Sequence, residues 1–154
     1  MAIEGLELEP LGAWLADAGV FPEPSPLDAH RIAGGLSNVT YLLTQDGQSV
    51  ILRRPPLGHV MPTAHDMGRE FAVLSGMAKG GFRSPRPLAF CDDDSVIGAK
   101  FLVMEYVEGR IIRDDASAAA LGEDGASAVS AELVDVLEIG RATRLNSSHE
   151  WISR

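Results

Sequence analysis

Asp46-Gly47 is the dipeptide that most constrains this chain. It separates two segments, one running from Val39 through Tyr41 to Leu43 and one from Ser49 to Arg54. In the first, Val39, Tyr41 and Leu43 alternate with polar or opposite-face residues, the signal of a half-buried strand. An Asp-Gly pair between such segments is a strong two-residue hairpin signal, so the second segment returns as the partner strand. Pro55-Pro56 ends it. Within that strand Arg53 alternates with Leu52 and shares a sheet face with Ile51.

The rest of the chain supplies the other elements. Leu11, Trp14, Leu15 and Ala18 recur at helical spacing, and Pro22, Pro24 and Pro26 then impose an extended link. A first strand is expected near His30–Ala33, with Gly34-Gly35-Leu36-Ser37-Asn38 as a tight turn behind it. Thr63 and Asp66 read as a capping box for a helix from about 64 to 79, with Met67, Phe71, Leu74 and Ala78 as its apolar stripe. Leu88–Cys91 and Lys100–Tyr106 read as two more strands, with Asp92-Asp93-Asp94 as a solvated turn. The Ala/Ser/Gly/Asp-rich stretch from Asp114 to Ala131 reads as a loosely structured linker, and Glu132–Ile139 as helix. The expected divisions are 1–27 (helix and link), 28–112 (the main domain), 113–140 (linker and helix) and 141–154. Hairpins with one inserted helix give an α+β fold: an antiparallel sheet of about five strands with one main helix packed on one face.

Charge excludes several functions. With 22 acidic against 13 basic residues and a net charge of −9, the chain is unsuited to non-specific nucleic-acid binding or a polybasic membrane contact. No apolar run approaches the ~18–20 residues a bilayer span requires. Cys91 is alone, which fits a reducing cytoplasm, and the acidic N-terminus is unlike a signal peptide. The four histidines show no metal-ligand spacing, so no metal site is expected.

Three elements carry chemistry. Glu70 falls at the rim of the apolar stripe, beside Met67 and Leu74, where a carboxylate needs a cationic or hydrogen-bonding partner. Arg53 can supply one, and its remaining N–H donors could then reach a diphosphate; two ordinary surface charges are the alternative. Gly34 and Gly35, with Ser37 and Asn38, could bring backbone N–H groups and a hydroxyl to an anion, although most Gly-Gly pairs are plain turns. Met104-Glu105-Tyr106-Val107 ends a strand where the Glu105 carbonyl and Val107 amide could bond an adenine edge, or could simply lead into an acidic turn. His59 and His65 read as solvated residues, Cys91 as a small core or strand-end residue, and Arg83 and Arg86 as surface cations.

Taken together, these residues resemble the aminoglycoside phosphotransferase family of the protein-kinase-like superfamily, in particular its acyl-CoA-dehydrogenase-associated branch. The likeness runs through Gly34-Gly35-Leu36-Ser37-Asn38-Val39-Thr40-Tyr41, then Leu52-Arg53-Arg54-Pro55-Pro56 with Ala64-His65-Asp66-Met67, then Pro85-Arg86-Pro87 and Val103–Arg110. It covers about residues 10–115 and implies a kinase-like N-terminal lobe. The resemblance implies that Arg53 stands in the usual kinase Lys position and that Glu70 orients it. Gly34, Gly35, Ser37 and Asn38 would then cover the phosphates, Met104 would be the gatekeeper, and Glu105 and Val107 the adenine-contacting hinge. ATP is the implied cofactor, with a small-molecule hydroxyl, of hydroxyacyl-CoA type, as acceptor. The family's His-Gly-Asp…Asn loop and metal-binding Asp have no match after Arg110. No catalytic residue and no Mg²⁺ ligand is therefore expected in this chain; both belong to a large lobe expected in cis. Leu133–Ile139 resembles the first helix toward that lobe, and residues 141–154 read as a non-native tail. A non-catalytic nucleotide-binding module, or an inactive fragment, is the competing expectation.

Overall fold

The computed structural model describes residues 3–22, 25–32, 38–58, 65–112 and 114–149, with only the backbone described from 139 on. The order is α1 (Leu8–Asp17), β1 (Asp28–Ile32), β2 (Val39–Gln45), β3 (Gln48–Arg54), α2 (Met67–Lys79), β4 (Pro87–Cys91), β5 (Phe101–Glu105), α3 (Asp115–Ala119) and α4 (Gly122–His149). The five strands form one antiparallel sheet in the order β1-β2-β3-β5-β4. This is the α+β architecture of a kinase-like N-terminal lobe.

The hairpin sets the register. Asp46 and Gly47 both take positive φ, 49° and 79°, and Gln45 pairs with Gln48 across the turn. Pairing then runs from Thr44↔Ser49 to Val39↔Arg54. Burial alternates along β2 and β3, with Tyr41, Leu43, Val50 and Leu52 turned to one face. In β5 every residue from Phe101 to Met104 is buried, so this strand is covered on both faces.

Two cores result. The larger joins Tyr41, Leu43, Leu52, Phe101 and Val103 to Leu11 and Leu15 of α1, and Trp14 meets Phe101 edge-to-face at 4.8 Å. The smaller, on the opposite face, joins Met67 of α2 to Leu102 and Met104, with Ile51, Phe71, Leu74 and Phe90 around them. The main helix, α2, covers one face of the sheet as expected, and α1 covers the other. The N-terminal helix, whose apolar periodicity was legible, packs into the main core. It stops in a Schellman turn: Gly19, at φ 69°, donates to the Ala16 carbonyl, and Val20 donates to that of Leu15.

Two boundaries differ from expectation. Helix α2 begins at Met67, and Asp66 caps it, its carboxylate accepting from the Arg69 N–H at 3.0 Å; Thr63, the other half of the expected box, lies outside the described residues. The stretch read as a loose linker, 114–131, is helical. Asp114 and Ser117 form a reciprocal capping box at the start of α3, and the alanines that follow are the strongest helix formers. Helix α4 continues through 140 into the segment read as an aperiodic tail, as far as His149.

The described chain separates into two compact units, residues 1–78 with 84–107, and 79–83 with 108–154. The first holds the whole sheet. In the second, Arg83 bonds Glu132 at the surface.

Candidate functional site

The site is built where β3 passes under the start of α2. Strand alternation turns Arg53 away from Leu52 and toward the α2 face, and the Asp66 cap places Glu70 one turn into the helix. The two side chains, seventeen positions apart, meet at 2.8 Å between Arg53 Nη1 and Glu70 Oε1. They are 32% and 25% exposed, so the pair lies between a solvated ion pair and a buried one. The second carboxylate oxygen is also engaged: Asn38 Nδ2 donates to Glu70 Oε2 at 3.2 Å. His65 Nδ1 lies 2.7 Å from Asn38 Oδ1. The histidine read as a solvated residue is therefore half-buried and joined to the site.

Arg53 retains unused capacity. Its Nε is buried and has no hydrogen-bond partner among the described residues. A buried donor left unpaired is costly. Asn38, His65, Glu70, Val73 and Leu74 line an open cleft of about 330 Å³.

Met104 is buried in the smaller core and pairs with Ile51 across the ladder, which places it on the same sheet face as the ion pair. Glu105 closes β5; its N–H donates to the Arg86 carbonyl at 2.9 Å, and its carboxylate lies 3.7 Å from Arg86 Nε. Val107 is exposed beyond the strand end. Gly34, Gly35 and Ser37 lie outside the described residues. The structure thus joins Arg53, Glu70 and Asn38 directly and sets Met104 on the same face.

Sequence reasoning missed the residue next to Arg53. Arg54 shares a face with Leu52 and is only 6% exposed. Its guanidinium donates to the carbonyls of Gly5, Ile97 (3.0 Å) and Pro55 (3.4 Å). Tyr41, fully buried, donates to the Glu4 carbonyl at 2.5 Å. Together they clamp the segment around Gly5, which has a φ of 82° and no room for a Cβ beside Leu57 and the Tyr41 hydroxyl. Burial lowers the Arg54 pKa and raises that of Tyr41. Cys91 is buried, its thiol donates to the Asp93 carbonyl, and burial raises its pKa. Asp92, Asp93 and Asp94 are exposed, as read, and Asp93 accepts from the Ser95 N–H. Among the described residues no three His, Cys, Asp or Glu side chains gather in a way that could hold a metal ion. No described helix is long and apolar enough to cross a membrane.

The five-stranded antiparallel sheet with its helices is the arrangement of a kinase-like small lobe. The chain belongs to the phosphotransferase enzyme family, whose profile matches residues 28–139. It is 43% identical over 88 residues to acyl-CoA dehydrogenase family member 11 of Gallus gallus, across 57% of this chain and 11% of that protein. The human protein of the same name is 46% identical over 80 residues, across 52% and 10%. A probable acyl-CoA dehydrogenase of Arabidopsis thaliana is 36% identical over 100 residues, across 61% of this chain and 12% of that one. This chain therefore spans about a tenth of the length of these relatives. Among solved structures, a protein from Ralstonia eutropha assigned as an aminoglycoside phosphotransferase superposes with a TM-score of 0.57. That match is at 32% identity, covering 70% of this chain and 30% of the other.

Proposed function

We propose that this chain is the nucleotide-binding lobe of an ATP-dependent phosphotransferase whose acceptor is a hydroxyl on a small molecule. The observation that carries the reading is the 2.8 Å Arg53–Glu70 pair, with the buried Arg53 Nε left over as a donor. Glu70 fixes the guanidinium, and the fixed guanidinium presents N–H groups to phosphate oxygens. Gly34, Gly35 and Ser37 belong to the segment that would cover those phosphates. Met104 would wall the base pocket, and the backbone of Glu105 and Val107 would meet the adenine edge. Bound ATP would supply the transferable phosphoryl group, and Mg²⁺ would neutralise its charge. The metal ligands and the base for the acceptor are assigned to a large lobe outside these residues.

The acceptor class rests on kinship. The matched relatives carry acyl-CoA dehydrogenase names, which supports a hydroxyacyl-CoA-type alcohol over an antibiotic. The lone, buried Cys91 fits a cytoplasmic location. Titration calorimetry with ATP tests the nucleotide reading. Wild-type protein should bind ATP, and Arg53→Ala should weaken binding by about ten- to a hundredfold, the worth of a charge-assisted hydrogen bond. Absence of wild-type ATP binding would refute it.

A further inference from the structure

Glu70 is held at both oxygens, and its second partner belongs to a chain of contacts. Oε1 meets Arg53, Oε2 accepts from Asn38 Nδ2, and Asn38 Oδ1 faces His65 Nδ1 at 2.7 Å. The orientation of the Asn38 amide follows from chemistry: an ionised carboxylate accepts only, so the Asn38 atom facing it must be the NH₂. The carbonyl then faces the imidazole, and a carbonyl also only accepts. His65 must therefore carry a hydrogen on Nδ1.

We propose that Asn38 and His65 are positioning residues for Arg53: His65 orients the Asn38 amide, the amide fixes Glu70, and Glu70 aims the guanidinium. This inference rests on the nucleotide reading for its effect on ATP but not for its hydrogen-bond geometry. Asn38 is the residue before β2, and His65 lies just before α2. The relay therefore ties the start of β2, the start of α2 and β3 to one carboxylate. Without Asn38, Glu70 keeps one partner and gains rotamers, and Arg53 loses its fixed aim. The role assigned to Asn38 is thus the setting of Glu70 rather than a contact to phosphate.

Two measurements on the whole chain test this. The first is ¹⁵N NMR of the His65 ring in wild-type protein without nucleotide. The relay requires a protonated Nδ1 with a coupling to a slowly exchanging hydrogen; a neutral ring protonated only at Nε2 overturns it. This readout does not depend on ATP, so it stands even if the nucleotide reading fails. The second is a cycle of ATP affinities. Asn38→Ala and His65→Ala should each weaken binding by about three- to tenfold, the worth of one hydrogen bond. His65→Gln should recover most of the loss, because a side-chain amide can still donate to the Asn38 carbonyl. In an Arg53→Ala background Asn38→Ala should change affinity by less than about twofold, because its effect passes through Arg53. Equal losses in both backgrounds would show that Asn38 acts on the nucleotide directly and would overturn the proposal. Wild-type protein that shows the Nδ1 hydrogen yet binds no ATP would refute the nucleotide reading while leaving the relay intact.

Discussion

Glu70→Ala removes a carboxylate that serves two donors, and the structure fixes how much that should cost. An ion pair between solvated side chains is worth about 0.2–1 kcal/mol, whereas breaking a buried pair costs about 3–5 kcal/mol. Arg53 and Glu70 are 32% and 25% exposed, so water reaches the orphaned guanidinium only in part. The Asn38 amide loses its acceptor in the same step. An intermediate cost of about 2 kcal/mol follows, a fall in midpoint of roughly 4–8 °C for a chain of this length. Urea denaturation followed by circular dichroism measures it, with a double-mutant cycle against Arg53→Ala to isolate the pair. The coupling should be about 1–2 kcal/mol. The Arg83–Glu132 pair, at 74% and 56% exposure, is the internal control, and Glu132→Ala should stay within about 0.5 kcal/mol of wild type. If Glu70→Ala proves as mild as Glu132→Ala, the Arg53–Glu70 contact is not formed in solution and Glu70 does not aim Arg53.

Three further positions, Arg54, Asp66 and Tyr41, hold the frame around the pair. Arg54→Ala should destabilise by about 2–4 kcal/mol in urea titration, because it strands the carbonyls of Gly5 and Ile97 that the guanidinium satisfies. Asp66→Ala should cost about 1 kcal/mol, and Asp66→Asn most of an order less, as expected for a lost and a conserved N-cap. Burial holds the Tyr41 pKa above its ordinary value near 10.0, so its contribution is complete below that pH. It is lost as pH rises through the higher folded-state value; Tyr41→Phe should lower stability at neutral pH and flatten that alkaline decline in a denaturation series.

Local chemistry made much of the frame legible. The Asp46-Gly47 turn fixed the parity of β2 and β3, and parity put Arg53 on the face of Ile51, the face that α2 proves to cover. The stripe of Met67, Phe71 and Leu74 placed Glu70 at its rim, where it meets Arg53. The illegible parts depend on partners distant in sequence. Arg54 reads as one more charge beside Arg53, and its burial makes sense only once the carbonyls of residues 5, 55 and 97 converge on it. The Asn38–His65 contact joins positions 27 apart that no periodicity links. The second helix layer was similarly hidden: α1 announced an apolar stripe, but nothing local said which sheet face it would cover. The stretch from 114 to 131 looked like a linker because small polar residues dominate it, yet its alanines and the Asp114–Ser117 cap favour helix once a start is set.

The proposed task of Arg53, aimed by Glu70, is to hold the phosphates of a nucleotide. Comparing the affinities of ATP and adenosine in wild-type and Arg53→Ala protein tests it most directly, because adenosine keeps the base and lacks the phosphates. The wild-type preference for ATP should shrink by about tenfold or more in the variant, with adenosine binding nearly unchanged. A preference that survives the substitution intact would show that Arg53 does not touch the phosphates.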